Sequence, residues 1–196
     1  APVTWKDGWP VINADQELVQ YSYVKPNLPE AKQSDFPLNG NFTYREDFDQ
    51  GKLPFYWTML RTPRTDWYSL SNPKGSLTLN LRPEELSGKG NPSYIARRQQ
   101  HLTGSASTQM QFNPTAENEF AGLVAFQGEQ NYYAIGKSLS NGKQVVQLKK
   151  ADGTVVAETA LTRKGGKKTL YLKIEFDGGK YGFYYATKEG EWQSLK

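Results

Sequence analysis

The chain has 196 residues and 22.2 kDa, 37% of them hydrophobic and 22% charged, which suits one soluble domain with an extra segment and crowds out two full domains. Lys and Arg number 24 against 20 Asp and Glu, a thinly spread net charge of +4 that argues against nucleic acid as a partner. With no Cys and a single histidine, His101, disulfides, cysteine nucleophiles, iron–sulfur clusters and multi-histidine metal sites are excluded, and the redox compartment is left undetermined.

The 18 Gly and 11 Pro supply many chain reversals, while 13% aromatic residues need burial, a profile that favours β structure over a helical bundle. Residues 5–12, Trp5 to Ile12, read as a strand broken by a tight turn at Asp7-Gly8. Polar, proline-broken sequence follows from Asn27 to Gly40. Pro26, Pro29 and Pro37 bias their predecessors away from helix, so this stretch predicts an extended arm. No run reaches the roughly 18 apolar residues of a membrane span, and residues 1–20 lack a basic n-region followed by an apolar h-region, so no membrane partner is expected.

From Phe42 the pattern changes to short alternating runs. This places residues 1–44 as a terminal strand plus linker and 45–196 as an all-β sandwich. Ser76–Leu81 sets Leu77, Leu79 and Leu81 on one face. Further strands are expected at Tyr94–His101, Ser107–Phe112, Phe120–Phe126, Asn131–Lys137, Gln144–Lys149, Val155–Thr159, Thr169–Phe176 and Lys180–Thr187. Asn141-Gly142, Asp152-Gly153 and Gly178-Gly179 tolerate the positive φ of hairpin turns. Pro83-Glu84-Glu85-Leu86 and Pro114-Thr115-Ala116-Glu117 begin like helices and stop within about a turn. The basic cluster Arg163, Lys164, Lys167 and Lys168 around Gly165-Gly166 reads as a solvated hairpin tip rather than a nucleic-acid patch.

Glycoside hydrolysis needs two carboxyl groups facing across a sugar ring. Asp47 and Asp49, two apart on one expected strand face, are weak candidates for that pair; a solvated strand end or a calcium ligand is the favoured reading of them. Arg97, Gln99 and His101 alternate with Arg98 and Gln100. Both faces are polar, so this stretch is an exposed edge, a wet groove or a domain interface. Phe55-Tyr56-Trp57, Arg61 and Trp67-Tyr68 form the densest aromatic region, to be divided between core and sugar contacts. Gln127 to Asn131, followed by Tyr132-Tyr133, form a hairpin loop that either holds a hydroxylated ligand or is solvated.

Asp47-Phe48-Asp49, Trp57, Leu60-Arg61-Thr62-Pro63, Tyr68-Ser69-Leu70 and Gly75-Ser76-Leu77-Thr78-Leu79 resemble the opening of the concanavalin A-like β-sandwich at the C-terminus of glycoside hydrolase family 43 β-xylosidases and arabinofuranosidases. Ala96-Arg97-Arg98-Gln99-Gln100-His101 is similar to that domain's Arg-Arg-Gln strand, and 121–126 with Tyr132-Tyr133 to its central hairpin. Trp5 to Ile12 is similar to the closing strand of the family's five-bladed catalytic propeller. The resemblance implies a jelly-roll sandwich of two antiparallel sheets that packs on the propeller of a xylan- or arabinan-degrading glycosidase, with the catalytic carboxylates in the propeller. It further implies that the family's final strand, and a loop carrying an aromatic residue toward the active site, lie beyond Lys196. The implied partners are a catalytic propeller and a plant cell-wall oligosaccharide. No cofactor is implied; the calcium site weighed for Asp47 and Asp49 comes from the residues alone. Trp57, Arg61, Arg97, Arg98, Gln99, Gln127 and Tyr132 are the expected interface or carbohydrate-binding residues. The competing reading, an independent carbohydrate-binding module for xylan or arabinoxylan, uses Trp57, Gln99, Gln127 or Tyr132.

Overall fold

The computed structural model describes residues 1–14, 18–30, 39–161 and 169–196, in which every regular element is a strand. The basic cluster from Arg163 to Lys168 lies outside the described residues. The chain divides into two compact units, Ala1–Glu46 and Asp47–Lys196.

The first unit holds β1 (Val3–Lys6) and β2 (Trp9–Ile12), an antiparallel hairpin turned by Asp7 and Gly8, both at positive φ. The register pairs Val3 with Ile12 and Trp5 with Pro10 on one face, and Lys6 with Trp9 and Thr4 with Val11 on the other. Apolar side chains therefore point both ways, and Trp5 and Trp9 are 70% and 75% exposed. Asn13 ends the hairpin. It is buried, donates Nδ2 to the Leu18 carbonyl at 2.6 Å and accepts from the Tyr23 hydroxyl at 3.1 Å.

The second unit contains β3 (Thr58–Met59), β4 (Tyr68–Ser71), β5 (Lys74–Leu79), β6 (Ile95–Ala96), β7 (Thr103–Gln111), β8 (Ala121–Gly128), β9 (Asn131–Ser140), β10 (Lys143–Lys150), β11 (Val155–Ala160), β12 (Thr169–Asp177), β13 (Lys180–Ala186) and β14 (Gln193–Ser194). One four-stranded antiparallel sheet runs β11-β10-β9-β8 and the other β14-β13-β12-β7; β3 pairs with β6 and β4 with β5. Alternation aims Ile135, Val146, Leu148 and Ala157 of the first sheet into one core with Leu170, Leu172, Ile174, Phe183 and Leu195 of the second. Asn141 and Gly142, at φ 49° and 70°, make the turn between β9 and β10. Gly136 on β9 lies under the Phe120 ring, which a Cβ there would meet at 2.5 Å.

One expected strand segment is absent and another is cut short. At 47–49 Phe48 takes a left-handed backbone, φ 53°, and its ring lies 5.5 Å from Trp57, so Asp47 and Asp49 do not share a strand face. Only Ile95–Ala96 of Tyr94–His101 pairs as strand. Beyond it the side chains bond locally, Gln99 Nε2 to the His101 carbonyl at 2.7 Å and Arg97 Nη2 to Gln100 Oε1 at 3.4 Å, and such bonds compete with a ladder. The two proline-led segments form turns, closed by Gly88 N–H to the Glu85 carbonyl and Glu119 N–H to the Ala116 carbonyl.

Candidate functional site

Two loops with no regular structure, 60–66 and 80–94, are laced together by two side chains. The buried Asn91 donates Nδ2 to the Thr62 carbonyl at 3.0 Å and accepts the Arg64 N–H at 3.3 Å. Arg82 reaches Thr65 Oγ1 at 3.2 Å, Ser93 Oγ at 3.1 Å and the Asn91 carbonyl, while its guanidinium lies 5.5 Å from the centre of the buried Trp67 ring. This lacing fixes Arg61, whose Nη1 donates to the Gly90 carbonyl at 2.9 Å and whose Nη2 donates to Glu129 Oε1 at 2.7 Å. Glu129 and Gln130 form the turn between β8 and β9. Arg61, Ser87, Gly88, Lys89, Glu129 and Gln130 line an open cleft of about 490 Å³.

The non-core face of the β8–β11 sheet continues from the cleft. Tyr132 stacks on Phe126 at 5.8 Å, and Tyr94 meets Phe126 at 5.3 Å. Burial raises the Tyr132 hydroxyl above the usual tyrosine value; a hydrogen bond with Ser87 opposes the shift and the Glu85 charge adds to it. Ser87 donates its hydroxyl to Glu85 Oε2 at 3.2 Å. Lys149, 4.9 Å over the Phe120 ring, is lowered by burial against the opposing pull of Glu158 and Glu85. Gln147 is buried and donates Nε2 to Glu158 Oε2 at 2.6 Å; its Oε1 has no hydrogen-bond partner among the described residues.

The other sequence-predicted residues are dispersed. Trp57 is half-buried beside Tyr56, ring centres 6.2 Å apart, and Arg97 lies 5.0 Å over the Tyr56 ring, so the Arg97–Tyr56–Trp57 group forms a second small cluster. Arg98 and Gln127 are exposed, and Gln99 accepts the Tyr181 hydroxyl at 3.1 Å. Arg61 and Tyr132 belong to the cleft and the sheet face running from it. Asp47 and Asp49 are exposed, and among the described residues no three His, Asp or Glu groups gather as a metal site. Sequence reasoning missed Asn91, Ser87 and Lys89, while Glu129 and Gln130 fall in the hairpin loop it singled out. The chain holds other Asn, Ser and Lys in turns, and nothing local marks these three, because the lacing comes from residues about 30 apart.

The family described as "Beta xylosidase C-terminal Concanavalin A-like domain" matches residues 45–196. A "Non-reducing end alpha-L-arabinofuranosidase BoGH43B" of Bacteroides ovatus is 37% identical over 184 residues, 93% of this chain and 34% of that protein. A "Xylosidase/arabinosidase" of Butyrivibrio fibrisolvens is 35% identical over 132 residues, 67% of this chain and 25% of that protein. Among solved structures, a GH43_12 protein from a capybara gut metagenome superposes with a TM-score of 0.76 at 26% identity, covering 99% of this chain and 37% of that one. The chain thus spans a quarter to about a third of the curated relatives named here.

Proposed function

Because the chain belongs to the concanavalin A-like C-terminal domains of beta-xylosidases, we propose that it is the accessory sandwich of a family 43 glycosidase, seated against a catalytic propeller that hydrolyses O-glycosyl bonds in xylan or arabinan side chains. The observation that carries this reading is the β1–β2 hairpin. An isolated two-stranded hairpin is marginal in water, and this one is apolar on both faces, with Val3, Trp5, Trp9 and Ile12 all more than half exposed. Such a hairpin needs a larger sheet around it, and a catalytic domain of the kind that makes up the rest of the relatives supplies one. On this reading Arg97, Arg98, Gln99, Gln127 and the Tyr56–Trp57 rings are surface available to the same catalytic domain, where Arg pairs with carboxylates and stacks on rings.

The test compares aryl β-xyloside and aryl α-arabinofuranoside hydrolysis by the catalytic polypeptide that carries this chain, native and Trp5→Ala/Trp9→Ala. The expected result is loss of most activity, while the same changes shift the stability of the 196-residue chain by less than about 0.5 kcal/mol, as exposed residues do. Full activity in the double variant overturns the reading.

A further inference from the structure

The cleft closed by Arg61 and Glu129 has a hydrogen-bonding pattern that the accessory role leaves unused. Arg61 presents five N–H groups. One goes to the Gly90 carbonyl and one to Glu129 Oε1, while Glu129 keeps Oε2 as a further acceptor. A guanidinium N–H and a carboxylate oxygen are thereby held side by side at the cleft wall. Lys89 and Gln130, both exposed, add an ammonium and an amide at its mouth.

A sugar diol fits this arrangement. Each hydroxyl both donates and accepts, so one takes an N–H of Arg61 while its neighbour gives its proton to Glu129. At the wall the charges weigh against an anion: Glu129 neutralises Arg61 and would repel a phosphate or sulfate, which leaves Lys89 at the mouth as the one uncompensated cation among the six lining residues. The lining weighs against a protein partner, because beside Arg61 it offers none of the aromatic or apolar anchors around which interface cores are built. Its volume of about 490 Å³ lies in the range of small-molecule sites. The wall is also set by the protein itself, since Asn91 and Arg82 hold both loops through side-chain bonds.

We infer that the Arg61–Glu129 cleft binds the vicinal hydroxyls of a neutral saccharide. Tyr132, stacked on Phe126 at 5.8 Å, stands beside the cleft. The inference rests on the glycosidase reading only for the choice of xylose- and arabinose-based probes.

The test titrates the isotope-labelled 196-residue chain with xylotriose, with L-arabinose and, separately, with inorganic phosphate, followed by amide and Arg Nε–H NMR. Saturable shifts at Arg61, 87–90 and 129–130 with a sugar are expected. Glu129→Gln should weaken binding about tenfold, as loss of a charged hydrogen bond does. Gln130→Ala should weaken it a few-fold with an unchanged melting temperature, which guards against misfolding of the Glu129 variant. No saturable shift up to about 50 mM of either sugar overturns the inference. So does equal affinity in a folded Glu129→Gln variant. Shifts at these residues with phosphate but not with sugar mark an anion site instead, and shifts only on adding the catalytic domain mark a protein contact; either result overturns it. No outcome here depends on hydrolytic activity, so failure leaves the accessory role to its own test.

Discussion

Replacing Asn91 by alanine probes how two irregular loops are made into a fixed cleft wall. The side chain makes two bonds of ordinary length, to the Thr62 carbonyl at 3.0 Å and from the Arg64 N–H at 3.3 Å, with a long third to the Arg61 carbonyl at 3.5 Å, and Asn91 itself is only 8% exposed. Each such bond contributes about 0.5–1.5 kcal/mol net, or about 1–3 kcal/mol for both. Thr62 and Arg64 are exposed, so water reaches their freed groups and removes the top of that range. The expected destabilisation is about 1–2 kcal/mol. In urea the midpoint should fall by roughly 0.5–1 M with the slope unchanged, because the surface exposed on unfolding is the same. Asn91→Asp should cost at least as much. It keeps the acceptor for Arg64 but sets a carboxylate oxygen against the Thr62 carbonyl. A midpoint within about 0.1 M of the native value for Asn91→Ala would refute the reasoning and leave the ties between the loops to Arg82 and to the Arg61–Gly90 bond.

Leu172→Ala, at a fully buried position in the shared core, should destabilise by about 2–5 kcal/mol; a urea midpoint near the native one would show that the two sheets do not share that core. Gly136→Ala drives a methyl to 2.5 Å from both the Phe120 ring and the Ala121 carbonyl, so a loss of about 1–3 kcal/mol is expected, and a calorimetric melt unchanged from native would contradict the packing. Glu119 is held below the usual glutamate range, first by the Thr115 N–H at 2.6 Å. Its folded value is depressed, so its contribution is present above the ordinary value of 4.5 and disappears as pH falls through the folded value. The stability gap between native and Glu119→Gln should therefore be wider at about pH 7 than at about pH 3, and a gap independent of pH would count against that bond.

Much of the sandwich is legible in the sequence where physics is local. Alternation of Leu170, Leu172 and Ile174 marks a strand whose inner face is core, and Asn141-Gly142 marks the turn that joins β9 to β10. Alternation misleads at 97–101. There polar side chains bond within their own segment, and Arg97 is drawn onto Tyr56. It misleads again at 47–49, where the contact of Phe48 with Trp57 goes with a left-handed backbone instead of a strand. The cleft was only partly legible. Arg61 stands out beside the aromatic run, and Glu129 belongs to a recognisable hairpin loop. Their pairing across 68 residues depends on Asn91 and Arg82, whose roles exist only once the loops are folded together. The division of the aromatics follows the same rule: Trp67 is buried under Arg82, while Phe55 in the same dense region is fully exposed.

The accessory reading meets its most direct test in a turnover assay of the 196-residue chain by itself on aryl β-xyloside and aryl α-arabinofuranoside. The account predicts aryl release no faster than the buffer blank. The carboxylates that sequence spacing singled out, Asp47 and Asp49, sit exposed and off any common strand face, without the opposed acid and base that glycoside hydrolysis needs. Turnover above the blank that disappears on Asp47→Asn would contradict the account and make this chain an enzyme in its own right.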